Sequence, residues 1–262
     1  MDNNVLSGEQ LLDSYEEIIN EFNKDFKFAV ITNNQAISDG GILLVGMNPS
    51  NRIDIQKIPK RQSFDYLDCP PKDSNIKDDF WDPKHKMMGE YDDHCAYIDL
   101  FPLRDGSQKT MVNYMRQEEM RPLMGALLRI TQDYIESLHP RLIIFANTFT
   151  APWGFRMKEK ICEDSTEIKY DNVWMGYTKE NIVSPLAGSK KGTWKFYRIT
   201  GIIPSDVNRK RETTNLQNSF FLQYRQHYNQ VHQPVLEDKE LTPADIRTIV
   251  EWIDPEWAKE LL

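Results

Sequence analysis

Apolar positions along the chain fall into two patterns. From Gly8 to Phe22, Leu11, Leu12, Tyr15, Ile18, Ile19 and Phe22 recur at helical spacing, and Ser7 with Gln10 forms a capping box ahead of them. The same spacing predicts a helix from Met120 to Leu138, stopped by His139-Pro140, and another near Leu216–Val231. A last helix is opened by Thr242-Pro243, where Thr caps and Pro takes the first turn. Elsewhere the apolar residues run without interruption over strand lengths: Ile42–Val45, Ala96–Leu100 and Leu142–Ala146, with a fourth strand expected around Ile182. The stretch from Asn51 to Asp93 is charged, contains Pro70-Pro71, and reads as loop with short helices. Unbroken apolar strands separated by helices predict a parallel sheet covered on both faces. The expected architecture is therefore three-layer α/β/α with a central four-stranded parallel sheet plus C-terminal helices. Residues 1–205 would form the α/β domain, and 206–262 a helical extension packed on it.

Composition narrows the function classes. The 262 residues carry 32 Lys plus Arg against 40 Asp plus Glu, a net charge of −8, which argues against a protein that coats nucleic acid non-specifically. The charge is uneven, because Ser184–Arg211 holds seven basic residues and one acid, and such a segment suits a local anion site. With 12 Phe, 11 Tyr and 6 Trp the chain needs a packed core. No apolar run approaches the ~20 residues of a membrane helix, and Met1-Asp2-Asn3-Asn4 has no leader character. The three cysteines, Cys69, Cys95 and Cys162, lack CxxC spacing, which excludes a disulfide framework and makes the cytoplasm the expected location. No metal site is expected, because the histidines show no ligand spacing and Asp92-Asp93-His94 reads as a charged turn. No cofactor is expected either, since neither GxGxxG nor a P-loop occurs.

In doubly wound sheets, ligands bind beyond the carboxyl ends of the strands. Here all four expected strands end in polar or turn-forming residues: Asn48-Pro49-Ser50, Asp99, Asn147-Thr148 and Ser184-Pro185. Each alone is ordinary turn chemistry; their coincidence marks one sheet edge as the candidate site.

The segment Leu43-Leu44-Val45-Gly46-Met47-Asn48-Pro49-Ser50 resembles the first motif of the uracil-DNA glycosylase superfamily. Tyr97-Ile98-Asp99-Leu100-Phe101-Pro102-Leu103-Arg104 is similar to its base-recognising strand, and His139–Ala146 to its third strand. Ser184-Pro185-Leu186-Ala187-Gly188-Ser189 resembles the tail of its second motif, so the resemblance spans roughly residues 40–200. It implies a glycosylase that flips a damaged or modified base from DNA into a pocket and hydrolyses its N-glycosidic bond. Asn48 would position the attacking water, with Ser184 as the other catalytic residue. Met47, Pro49 and Ser50 would line the sugar and phosphate, and Asp99, Phe101 and Asn147 the base. Lys190 and Lys191 would contact a DNA phosphate. Phe64, Phe80, Trp81 and Tyr91 are the candidates for a stacking ring.

Two departures from the family pattern qualify what it implies. Ile182 stands where the second-motif His belongs, and Asp99 where other members place Asn. An ionised carboxylate only accepts hydrogen bonds, which disfavours uracil and suits a guanine-like edge. Asp99 has a plainer alternative, capping a helix or pairing with Arg104. The second function class is a non-catalytic module that keeps the pocket and binds a nucleic acid or a nucleobase-containing ligand.

Overall fold

The Ser7 side chain accepts the Gln10 amide and the Gln10 side chain returns to the Ser7 amide, opening helix α1 (Gly8–Glu21) as the capping box predicts. The computed structural model describes residues 5–33, 40–49, 59–69, 81–147, 149–154, 174–186, 194–224 and 241–262. After α1 the chain forms β1 (Phe28–Thr32), β2 (Ile42–Gly46), β3 (Arg61–Asp65), α2 (Trp81–Met88), β4 (Cys95–Asp99), α3 (Gln108–Arg116), α4 (Arg121–Leu138) and β5 (Leu142–Phe145). Then follow β6 (Tyr177–Asn181), β7 (Trp194–Ile202), β8 (Phe220–Tyr224), α5 (Pro243–Ile253) and α6 (Pro255–Glu260).

The central sheet has six strands in the order β4-β2-β5-β8-β7-β6, and β1 pairs with β3 in a separate parallel ribbon. The first four strands are parallel, and β7 is antiparallel to both neighbours. Numbered in chain order, the parallel strands run 2-1-3-4. The order therefore reverses between β2 and β5, where a doubly wound sheet opens a ligand crevice.

Alternate residues of each strand serve opposite faces. Leu43 and Val45 join a core with α1, α3 and α4, through Leu11, Tyr15, Met111, Leu127 and others. Ile42 and Leu44 join a second core with α2, α5 and α6. Helices thus cover both faces, and β2, β4 and β5 are buried throughout. Buried Glu136 on α4 ties the layers: its carboxylate accepts from Tyr177 at 2.8 Å, Thr214 at 2.6 Å and the Asn215 amide at 2.7 Å.

Two expectations are corrected. The sheet is six-stranded rather than four-stranded, and its fourth parallel strand is β8, not a strand at Ile182. The described part of the helix expected over Leu216–Val231 is a turn followed by β8. Phe220-Phe221-Leu222 fits a buried strand as well as a helical stripe, and the open slot beside β5 selects the strand. Ile182 itself lies just past β6, on the sheet's outer edge. Residues 206–224 therefore belong partly to the sheet, while the helical part of the C-terminal segment is α5 and α6. Among the described residues no helix is long and apolar enough to cross a membrane.

Candidate active site

The backbones of β2 and β4 stay hydrogen-bonded beyond their ends. Leu100 donates to Gly46 at 3.1 Å, Phe101 to Met47 at 3.0 Å and Asp105 to Pro49 at 3.2 Å, so the loops at 47–49 and 100–105 run side by side. Asn48 sits in the first of them, only 7% exposed. Its Nδ2 donates to the carbonyls of Pro49 and Asp105, each at 3.2 Å, which fixes the orientation of the amide. The Asp105 carbonyl is held in turn, because the Asp105 side chain accepts from the Ser107 amide and from Thr110. Oδ1 of Asn48 is left buried without a partner.

Asp99 closes β4 in register with Gly46, on the face that carries Tyr97. It is 4% exposed. Its Oδ1 accepts from the Tyr97 hydroxyl at 3.0 Å, and its Oδ2 is a second buried acceptor without a partner. The carboxyl lies against the Gly46 Cα, where any Cβ would fall inside contact distance of both Asp99 Oδ1 and the Tyr97 hydroxyl. Burial raises the Asp99 carboxyl to about 7, while the Tyr97 hydrogen bond and the charge of Lys84 work in the opposite direction. Asp99 neither caps a helix nor meets Arg104, which bonds to Gln62 and lies over the Phe64 ring at 5.9 Å.

Asn147 follows β5 on the other side of β2. Its Oδ1 accepts the Phe149 amide at 2.8 Å, its Nδ2 donates to Gln108 at 2.6 Å, and its carbonyl accepts from Gln223 of β8 at 3.0 Å. Amide side chains from the turn after β5, from β8 and from the first turn of α3 thus meet at this sheet edge. Adjacent strands lie about 4.8 Å apart, so Asp99 and Asn147 flank the end of the strand that carries Asn48, about 10 Å from each other.

Ser184 is not among them. The alternating directions of β8, β7 and β6 return its strand end to the same sheet edge, but four strand spacings, about 19 Å, separate it from Asn48. Its hydroxyl accepts the Leu186 amide at 3.2 Å in a local turn. Met47 and Phe101 turn their side chains into the α1/α4 core, and Pro49 contributes its carbonyl to Asn48. Ser50, Lys190 and Lys191 lie outside the described residues, as does Phe80.

Of the other ring candidates, Tyr91 is fully buried and Trp81 sets its edge on Tyr97 at 4.9 Å, while Phe64 is half-buried on the Asp99 side of the sheet. The described cations of the basic segment are dispersed. Arg198 pairs with Glu180 on the β6–β7 ribbon, and Arg209 and Arg211 pair with Asp133 beyond the far end of β7. A cavity of about 720 Å³ lined by Arg121, Arg129, Trp174 and Lys210 lies between α4 and the turn after β7, and Lys210 of the basic segment is the residue it shares with the sequence reading.

Among the described residues no group of three or more His, Cys, Asp or Glu is placed to hold a metal ion. Both oxygens of Asp92 are engaged, by Tyr66 at 2.7 Å and His85 at 2.6 Å. Sequence reasoning missed Gly46, Tyr97, Lys84, Gln108 and Gln223. Only Tyr97 carried a usable signal, standing two residues before Asp99 and therefore on the same face of the strand.

A comparison with protein-family models matched none, and a search of curated proteins returned no relative.

Proposed function

We propose that the crevice beyond β2, β4 and β5 takes a nucleobase flipped from DNA and hydrolyses its N-glycosidic bond. The observation that carries this reading is Asn48. Two carbonyls hold its Nδ2, so Oδ1 is presented as a fixed, buried acceptor. A buried polar atom left unsatisfied costs about 1–3 kcal/mol, so an acceptor kept in this state suits a water or ligand donor that completes it. In the proposed reaction a water donates to Asn48 Oδ1 and its oxygen attacks the sugar C1′. The C1′–N bond breaks with its electron pair leaving on the base, and the water's second proton passes to solvent or to the departing base. Asn is too weak a base to take that proton, which fits a base that departs largely as an anion. Asp99 Oδ2, on the adjacent strand, meets the edge of the base. The reading agrees with the resemblance to uracil-DNA glycosylases, whose fold is the finer form proposed for this α/β sheet.

The second reading, a binding module without turnover, is favoured by one specific observation. The described histidines are engaged or distant: His85 bonds to Asp92 and Cys69, and His94 and His139 lie at the opposite sheet edge, before β4 and β5. The chain after β8, with His227 and His232 in its sequence, lies outside the described residues. The test is turnover of oligonucleotides bearing uracil, hypoxanthine, xanthine or oxidised bases. The enzyme reading expects base release that falls at least a hundredfold in Asn48→Ala. Base-dependent binding without release would support the module.

A further inference from the structure

The cavity of about 720 Å³ between α4 and the turn after β7 lies apart from the crevice, and none of Asn48, Asp99 and Asn147 lines it. Small-molecule pockets usually enclose about 300–1,000 Å³, so its size is that of a ligand site. One wall is the first half of α4. Arg121, Gly125 and Arg129 stand four residues apart on one stripe of that helix, so the two guanidiniums flank a position with no side chain. The facing wall is the turn at 203–210, pinned by buried Asn208. The Asn208 Nδ2 donates to the Met175 and Ile203 carbonyls at 3.0 and 2.8 Å, and its Oδ1 accepts the Ser205 and Arg211 amides at 2.8 and 3.1 Å. The Ser205 hydroxyl donates to the Trp174 carbonyl at 2.8 Å, so one network carries both Trp174 and Lys210 to the cavity.

The charges set what can enter. Arg121, Arg129 and Lys210 share the cavity with a single acid, Asp206, and among the described residues no carboxylate forms an ion pair with any of the three. The arginines bond to main-chain carbonyls instead. Arg121 donates to Arg116 at 3.3 Å, and Arg129 to Val207 and Asp206 at 2.8 and 2.9 Å, which holds both guanidiniums without neutralising them. Arg209 and Arg211 of the same segment, by contrast, pair with Asp133. In a chain of net charge −8, cations gathered round one cavity and left without counter-ions mark an anion site. Trp174, Pro122 and Val207 add apolar wall beside them. We propose that this cavity binds a small phosphate monoester with an aromatic body, its phosphate held by Arg121, Arg129 and Lys210 and its body set against Trp174. Three cations against Asp206 leave two positive charges, which match the roughly −1.5 to −2 of a phosphate monoester at neutral pH. The site stands whether or not the crevice takes a nucleobase.

Phenyl phosphate is the probe, because it carries no nucleobase, with inorganic phosphate and phenol as comparators. Binding of each to the full chain is measured calorimetrically at neutral pH and low salt. Arg121 and Lys210 are exposed at the mouth, so Arg121→Gln and Lys210→Gln should fold as wild type does. Each should bind phenyl phosphate about tenfold more weakly, through the loss of one charged donor. Inorganic phosphate should bind wild type about tenfold more weakly than the ester, because it leaves the apolar wall uncovered, and phenol should not bind. Free uracil should leave the titration unchanged. If phenyl phosphate does not bind, if both variants bind it as wild type does, or if inorganic phosphate matches it, the proposal is overturned. Competition by uracil would overturn it by placing the ester in the crevice. A duplex oligonucleotide that displaces the ester, and itself binds both variants more weakly, would make the cavity a contact for the DNA backbone and equally overturn a small-molecule site. Base release from oligonucleotides should be the same in both variants as in wild type, so failure here is distinguishable from failure of the nucleobase reading.

Discussion

The Tyr97 hydroxyl donates to Asp99 Oδ1 at 3.0 Å, two residues along one strand and on one face of it. Tyr97 is fixed from behind, stacked on Tyr66 at 5.7 Å and met edge-on by Trp81 at 4.9 Å. The carboxyl that borders the crevice is therefore oriented by an aromatic cluster rather than by an ion pair. Tyr97→Phe keeps the ring packing and removes the donor, leaving both Asp99 oxygens unsatisfied. The expected outcome is a loss of about 1–3 kcal/mol in urea unfolding. The Asp99 carboxyl should also rise further, because the lost bond is one of the two influences that lower it. An unchanged Asp99 titration by carbon-detected NMR would show that the hydroxyl does not hold the carboxyl.

Asp99 also gives stability a defined dependence on pH. Its folded value of about 7 lies above the unfolded value near 4, so the native state keeps a proton that the unfolded chain has lost. Stability should fall as pH rises from about 4 to 7 and level off above that range, with an upper bound of about 4 kcal/mol for this group. Asp99→Asn removes the dependence. The variant should gain on wild type progressively through that window, with no further gain above about pH 8. Parallel stability curves for the two proteins would mean that Asp99 is charged throughout.

Gly46 is required by contact rather than by backbone angle, since a Cβ there would strike the Asp99 carboxyl and the Tyr97 hydroxyl. Neither group has a flexible end to swing away, because both are buried. Gly46→Ala should cost about 1–3 kcal/mol by overpacking and displace the Asp99 carboxyl from the crevice. In a background of Asp99→Ala the same substitution should cost less, with the contact to the Tyr97 hydroxyl remaining. A double-mutant cycle with no coupling energy between the two positions would show that they do not touch.

The strands bearing Asn48, Asp99 and Asn147 are legible in the sequence because strands buried on both faces read as uninterrupted apolar runs. β6 and β7 are not, since they form a half-exposed antiparallel pair in which Lys179, Glu180 and Arg198 interrupt the apolar residues. β8 misleads differently, its aromatic run matching a helical stripe until β5 and β7 close on it. Within the site, Asn48 and Asp99 come from local motifs. Their counterparts come from pairing: Gly46 meets Asp99 only through the β2–β4 register, and Gln223 reaches Asn147 only once β8 lies beside β5. Ser184 fails for the same reason, because its Pro-Leu context is a local pattern and its place in the strand order is not.

His85 supplies a second pH dependence, of known sign and separate from the crevice. Its Nδ1 lies 2.6 Å from Asp92 Oδ2 and its Nε2 lies 2.6 Å from the Cys69 carbonyl, so both ring nitrogens face acceptors. Only the imidazolium can donate to both. Burial works against the charge, but the hydrogen bond and charge of Asp92, with the Cys69 carbonyl, outweigh it and raise the group above its ordinary value of 6.5. The stabilisation is therefore fully present below about pH 6.5 and is lost as pH rises through the folded value. His85→Gln can donate only one such bond at a time, and the variant should be less stable than wild type at pH 6, by about 1–3 kcal/mol. The gap should narrow as the solution becomes alkaline, whereas the Asp99→Asn gap has already reached its limit there. Thermal melts of the two variants and wild type from pH 5 to 9 separate the contributions, and a His85 that titrates by NMR below 6.5 would mean that its ring does not carry both bonds.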